Sequence, residues 1–564
     1  MTGGSTAVSS DDSINNNNGT GDINESTIDK DKDTMAQQQQ QQQRQSSGLS
    51  IQQCIAMLSN FSTSYNVVNI SLVLPILKDL HESTPQEYAA CASSLLAGMM
   101  VGQVVGGMLG DTCLGRLGAL RLVMFLQILA SIGSACIFQN PTDTDADDNN
   151  NNNNNRLYTT LAIWRFVLGI GAGGVYPLAA TLSAETTTAA ATVATPEQKQ
   201  RNVVLTFSMQ GVGFVAVPLV TIPLLYGLPA SSLDVVWRII LGLGALPGIV
   251  LVFLQWRLYR SQQQQGEEPT YDALGTESEE EEEEEEDDDD DDLEGDNRGS
   301  NSRQDKADDD DAIEAVVSTD DAEAFEDEPT VTTDGGNENN INDNADSNIW
   351  SAIRHEPNLL MKLLGTAGTW FLFDVLFYGN TLFQPIVIEA AFGTNSASEY
   401  KTLEKEAIDS LLLTTIALPG YAVAALAIGK SCLCGITQTP RFVQQQGFLV
   451  MAVLYAAIGF GWDQLRKIPP LLVILYGLTF FFANYGPNTT TFVLPSLVFS
   501  ERCRSTLNGI SAASGKAGAL VGSMLFEPAK DRFGPARVMQ ICALVSLVAL
   551  AMTHGFVRIP TGNR

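Results

Sequence analysis

The sequence predicts an all-α membrane protein of about twelve transmembrane helices, arranged as two six-helix pseudo-repeats. Three observations carry this. Long apolar stretches recur at about the 20-residue length that crosses a bilayer as a helix. A strongly hydrophilic insert divides them evenly, six before it and six after. Solitary charges stand at the centres of two of them. A charge there costs roughly 2.5–3.5 kcal/mol on insertion scales and so faces a cavity or a partner.

The stretches fall at 51–80, 88–110, 117–139, 157–185, 202–227 and 235–256, then at 358–391, 408–429, 444–462, 469–493, 505–527 and 536–557. Only helices suit them, because backbone polar groups in hydrocarbon must be satisfied within the segment. The first stretch begins behind a polar tail, so no cleavable signal peptide is expected. Averages conceal this pattern. The formal net charge of −33 suggests a soluble acidic protein. Low-complexity segments cause the distortion: Gln37 to Gln43, Asn149 to Asn155 and the unbroken acidic run Glu279 to Asp292. Such segments cannot bury enough apolar surface to fold and are read as disordered. The resulting organisation is a poly-Gln-bearing tail (1–50), a first half (51–256), an acidic linker (257–356), a second half (357–558) and a short tail (559–564). Two six-helix halves joined by a linker is a recurrent transporter plan, with substrate near the midplane between them.

The solitary charges are Lys516, alone between Ser505 and Phe526, and Asp374, alone between Leu363 and Ile388. Opposite charges at mid-membrane depth on different helices suggest an intramembrane site for something polar. Lysine and arginine in alternate short loops show no asymmetry that fixes orientation. The eight cysteines form no paired extracellular framework. Cys432 and Cys434 lack the accompanying ligands of a metal site. Asn60 and Asn69 match the glycosylation pattern but lie inside the first stretch, and His81, His355 and His554 receive no role. With no nucleophile–base pair, metal cluster or nucleotide loop in the sequence, an enzyme is disfavoured; no cofactor and no nucleic-acid partner are expected.

Gly102 to Arg121 reads GQVVGGMLGDTCLGRLGALR, in which glycines permit close helix approach. Asp111 and Arg116 then share a tight turn where the acid can bind a helix N-terminus or a basic group. This segment resembles the G-x-x-x-D-x-x-G-R loop motif of the major facilitator superfamily, except that Leu117 replaces the second basic residue. RFVLGIGAGG (Arg165 to Gly174) is similar to the superfamily's fourth-helix motif. Together they imply the major facilitator fold.

Four further segments resemble the phosphate:proton symporters of that superfamily: GGVYPLAATLSAE (173–185), FSMQGVGF (207–214), GTAGTWFLFDVLFYGN (365–380), and the stretch 484–519 with NYGPNTTTFVLP and RCRSTLNGISAASGKAGA. The resemblance implies a carrier of inorganic phosphate in the plasma membrane, with termini and linker cytosolic. It implies phosphate ligands at Tyr176, Gln210, Trp370, Asp374, Tyr378, Asn488 and Lys516. Trp370, Asp374 and Tyr378 are four residues apart and share a helix face. Lys516 offers a point charge, the neutral side chains offer hydrogen-bond donors, and an ionised Asp374 can only accept, which suits a protonated phosphate.

The departures concern proton carriers. Val175 stands where the family has Asp. The matching first-helix stretch is Ser62-Thr63-Ser64-Tyr65-Asn66, with both acids gone; Leu497 replaces a glutamate, and a loop Asp is absent near Gly429. Three routes stay open: proton coupling through Asp374, aided by Glu185 or Arg165; sodium coupling through oxygens of Thr63, Ser64, Asn66 and Asn69; or an uncoupled carrier or exchanger, including one for a different anion. A phosphate sensor on the same scaffold is a further alternative, as is a sugar or organic-ion carrier. Asp111 and Arg116 read as a conformational latch. The acidic run reads as a solvated linker, with Thr276 and Ser278 as possible phosphorylation positions.

Overall fold

The structure, a computed structural model, describes residues 50–81, 83–137, 149–186, 196–264, 349–392, 399–431 and 435–559. The poly-Gln tract, the acidic run with Thr276 and Ser278, and Cys432 and Cys434 lie outside these residues. In the first half, α1 (Ile51–Val68) and α2 (Ile70–Leu80) form the first span, followed by α3 (Pro85–Asp111), α4 (Gly115–Ala135), α5 (Asn149–Glu185) and α6 (Pro196–Gly227). The sixth span is α7 (Leu233–Gly242) with α8 (Leu246–Gln264). In the second half α9 (Ile349–Arg354) precedes α10 (Leu359–Leu363) and α11 (Thr369–Phe392), which together make the seventh span. The eighth and ninth spans are α12 (Glu399–Ala427) and α13 (Pro440–Leu465). Then come α14 (Pro469–Ala483) with α15 (Thr489–Val498), α16 (Arg504–Phe533) and α17 (Pro535–Phe556).

Among the described residues, ten helical segments are long and apolar enough to cross a membrane. The two further expected spans are the ones that carry polar faces. The first is divided at Asn69, and its α1 portion buries Ser59, Asn60, Ser62, Thr63, Ser64 and Asn66. The eleventh, α16, carries Lys516 and ends among Lys530, Asp531 and Arg532. The helices also outrun the apolar stretches. α5 begins at Asn149, so the asparagine tract expected to be disordered forms its first turns; extending a nucleated helix is cheap. The linker expected over 257–356 is helical at both ends, through Gln264 on one side and in α9 on the other.

Helix starts follow local chemistry. Thr84 and Glu87 form a reciprocal capping box ahead of α3, with Pro85 in the first turn where its missing N–H costs nothing. Thr439 caps α13 in the same position relative to Pro440. Gly534 turns the chain between α16 and α17 with φ +81°, a region that disfavours side chains. The seam between α3 and α5 depends on glycine: a Cβ on Gly106 would lie 2.6 Å from the Gly174 Cα. This brings Tyr176 to a fixed depth. Aromatic contacts across the halves complete the core, with Phe207 4.7 Å and Tyr176 5.9 Å from Phe492, ring centre to ring centre.

Candidate functional site

Between the halves lies a small cavity lined by Tyr176, Phe207, Gln210, Trp370, Asp374, Phe377, Tyr378, Asn488 and Lys516. All seven residues expected as ligands are on this wall. Five elements deliver them. α5 supplies Tyr176, α6 supplies Gln210, α11 supplies one face with Trp370, Asp374 and Tyr378, and α16 supplies Lys516. Asn488 ends a π-helical turn, Asn484–Asn488, inserted between α14 and α15. That turn breaks at Gly486, whose backbone is non-helical (φ −98°, ψ −107°). Gly447 of α13 packs directly on it, since a Cβ there would lie 2.6 Å from the Gly486 Cα. Such local π-turns recur at functional sites because they re-aim side chains inside a continuous span.

The two solitary charges meet. Lys516 Nζ lies 2.9 Å from Asp374 Oδ2, and the side chains are 4 % and 3 % exposed. Lys516 also donates to the Tyr378 hydroxyl at 3.1 Å and lies 4.7 Å from the Tyr378 ring centre and 5.7 Å from that of Tyr176. The Trp370 indole donates to the Asp374 carboxylate. On the opposite wall, the Tyr176 hydroxyl donates to Gln210 Oε1 at 3.1 Å. Gln210 Nε2 donates to the Tyr421 hydroxyl at 3.2 Å, which also accepts from Asn488 Nδ2 at 2.9 Å. Tyr421 and Asn484 were not anticipated. A tyrosine and an asparagine inside apolar stretches give no local sign of their partners. Phe207 and Phe377 add apolar wall, which lowers the local dielectric and strengthens every charge contact inside.

The other residues expected for coupling or for a latch lie elsewhere. Arg165 is fully buried and donates to Asn69 Oδ1 at 2.9 Å and to the Asn66 carbonyl at 3.0 Å, bracing the break in the first span. It does not reach Asp374. Neither does Glu185, which accepts from Arg116 at 3.1 Å and from Arg504 at 3.0 Å at the helix ends on one face. There Asp111 pairs with Arg116 at 2.9 Å and accepts from the Ser505 and Thr506 backbone N–H groups at 3.2 and 2.6 Å. An acid of the first half thus caps α16 of the second, where partial positive charge concentrates. Beside it, Glu356 accepts from Lys362 at 2.5 Å and from the Ser500 hydroxyl at 2.6 Å, holding the turn before α16.

Three of the four oxygens named for sodium already accept hydrogen bonds, and the Ser64 hydroxyl is used as a donor. Thr63 Oγ1 accepts from Gln127, Ser64 donates to the Asn60 carbonyl, Asn66 Oδ1 accepts from Ser131, and Asn69 Oδ1 accepts from Arg165. Val175 faces an apolar cluster with Ile55, Val123 and Met124, away from the cavity. Leu497 likewise packs on the apolar core.

Residues 56–523 match the model of the Major Facilitator Superfamily. The chain is 31 % identical over 506 residues to "Probable inorganic phosphate transporter 1-12" of Oryza sativa subsp. japonica, covering 84 % of this chain and 80 % of that one. It is 30 % identical over 525 residues to "Probable inorganic phosphate transporter 1-6" of Arabidopsis thaliana, with 87 % and 88 % covered. Among solved structures, the proton:xylose symporter XylE bound to 6-bromo-6-deoxy-D-glucose superposes with a TM-score of 0.59 over 90 % of this chain and 96 % of that one, at 17 % identity. That likeness concerns the fold. Motif, fold and relatives converge: the chain is an integral membrane protein of the Major Facilitator Superfamily and belongs to its family of inorganic phosphate transporters.

Proposed function

We propose that the protein is a secondary active carrier of inorganic phosphate, working by alternating access and coupled to protons. The observation that carries this is the buried Lys516–Asp374 pair in a cavity otherwise lined by aromatic rings, hydroxyls and amides. An ammonium shielded from bulk water is a strong anchor for an oxyanion. The adjacent carboxylate accepts a hydrogen bond from a protonated phosphate but repels a fully ionised one.

Binding and coupling then share one residue. Phosphate entering beside Lys516 competes with Asp374 for the ammonium. Asp374 is relieved either by accepting a phosphate hydroxyl or by taking a proton itself. Among the described residues it is the one carboxylate on the cavity wall. Arg165 and Glu185 serve helix packing and the latch instead, and the engaged oxygens of the first span argue against sodium. The resemblance to the symporters further suggests the plasma membrane, with both termini, the acidic linker and the Asp111 latch in the cytosol.

The test is radiolabelled phosphate uptake into proteoliposomes holding the purified protein, under an imposed proton or sodium gradient. Accumulation driven by the proton gradient alone is expected, and Asp374→Asn should remove it. Accumulation that requires sodium would overturn the coupling assignment. Saturable binding without uptake under either gradient would favour a sensor.

A further inference from the structure

We infer that Tyr421 and Asn484, outside the cavity wall, set the specificity of the site by turning Asn488 into an acceptor, so that it takes a dihydrogen oxyanion and excludes sulfate. This deepens the phosphate reading and rests on it. The Ala417 backbone carbonyl can only accept. Asn484 Nδ2 donates to the Ala417 carbonyl at 3.1 Å, which fixes the amide and aims its Oδ1 the other way. That oxygen lies 2.7 Å from the amide of Asn488. Two carbonyl oxygens would repel at this distance, so the Asn488 atom is Nδ2. Its second hydrogen goes to the Tyr421 hydroxyl at 2.9 Å.

Both donor hydrogens of Asn488 are therefore spent behind the wall, and an amide has no others. Asn488 nevertheless lines the cavity and retains 7 % exposure. The group it offers there is its carbonyl oxygen, an acceptor. Tyr421 is locked in turn, because it also accepts from Gln210 Nε2 of the other half at 3.2 Å.

The cavity wall thus includes the Asp374 carboxylate and the Asn488 carbonyl as acceptors, together with Lys516. A tetrahedral monoanion carrying two hydroxyls satisfies both acceptors and the ammonium. Dihydrogen phosphate and dihydrogen arsenate fit this description. Sulfate has the same shape and no hydroxyl at neutral pH, so it would leave both acceptors facing its own oxygens. A site built to receive a substrate O–H rejects an analogue lacking it far more strongly than shape alone would allow.

The experiment is competition in proteoliposomes: uptake of labelled phosphate against excess sulfate or arsenate, for the wild-type protein, Tyr421→Phe and Asn484→Ala. The wild-type protein should be inhibited by arsenate and indifferent to sulfate. Either substitution frees Asn488 to rotate its N–H groups inward, so sulfate should become inhibitory, with affinity raised roughly tenfold or more. A purely structural role would change the rate of uptake without moving this selectivity. For a variant that folds but does not turn over, thermal stabilisation by sulfate against that by phosphate gives the same comparison. Both variants excluding sulfate as the wild type does would overturn the inference, as would a wild-type protein inhibited equally by sulfate. Absence of phosphate uptake and binding by the wild-type protein would instead sink the phosphate reading beneath it, and this inference with it.

Discussion

Removing the ammonium of Lys516 separates the energetic role of the central pair from its functional one. The two side chains are 4 % and 3 % exposed and meet at 2.9 Å, so no discount for surface screening applies. In Lys516→Ala the Asp374 carboxylate keeps only the Trp370 indole among its side-chain donors. Breaking a buried pair by deleting one partner costs about 3–5 kcal/mol, chiefly because the remaining charge stays buried. The neighbouring cavity is small but lined by polar groups that can hold a water, and truncating the lysine enlarges it, which places the expected loss near the lower end, ~3 kcal/mol. The double variant Lys516→Ala with Asp374→Asn leaves no ion in the site. It should recover most of that loss, since buried pairs gain little over neutral packing. Neither variant should accumulate phosphate. The assay pairs denaturant unfolding in detergent, followed by tryptophan fluorescence, with phosphate uptake in vesicles. Lys516→Ala that is as stable as the wild type and transports at its rate would refute the argument. A double variant no more stable than the single one would refute the electrostatic part alone.

Other predictions address the latch, the π-turn and the linker end. Asp111→Asn weakens the cap of α16 and its pairing with Arg116, so uptake should fall severalfold while equilibrium phosphate binding is retained; isothermal titration beside vesicle uptake distinguishes the two. Gly447→Ala pushes a methyl into the Gly486 backbone and should destabilise the protein by about 1–3 kcal/mol, read as a lowered unfolding midpoint. Glu356 yields a pH prediction. Burial pushes its carboxyl up, but hydrogen bonds from Lys362, Ser500 and Cys503 outweigh this and hold it below its ordinary value of 4.5. Its contribution is then present in full above that value and is lost as pH falls through the depressed one. Thermal unfolding from pH 7 down to pH 3 should therefore show a steeper loss in the wild type than in Glu356→Gln.

The spans were legible because hydrocarbon imposes a continuous apolar run that nothing else in the chain imitates. Their ends were not. α5 starts at Asn149 and α8 reaches Gln264, since turns beyond the bilayer are held by helix continuity and carry no apolar signal. In the site, Asp374 and Lys516 announced themselves by their isolation, and their pairing followed from opposite sign at similar depth. Tyr421 and Asn484 gave no such sign. Their chemistry depends on which neighbouring helix they meet, and a tyrosine or asparagine in an apolar stretch reads equally as packing. The latch was half legible. Asp111 and Arg116 share a local turn, but the Thr506 N–H that Asp111 accepts from lies 395 residues away. Glu185 and Arg165, named as aids to coupling, meet Arg116, Arg504, Asn66 and Asn69 rather than Asp374, for the same reason: burial and partners are properties of the assembled helices.

Lys516 and the capped N-terminus of α16 stand on one uninterrupted helix, which makes that helix a lever. Thr506 is ten residues from Lys516, a separation of about 15 Å along the axis at about 1.5 Å per residue. A tilt of roughly ten degrees about the level of Lys516 would swing the helix tip by about 2.5 Å over that arm. The Asp111 contacts at the tip are 2.6 and 3.2 Å long, so a swing of that size parts them. The small adjustment needed to admit an anion beside one ammonium is thereby magnified at the membrane face, where it decides whether the two halves stay fastened.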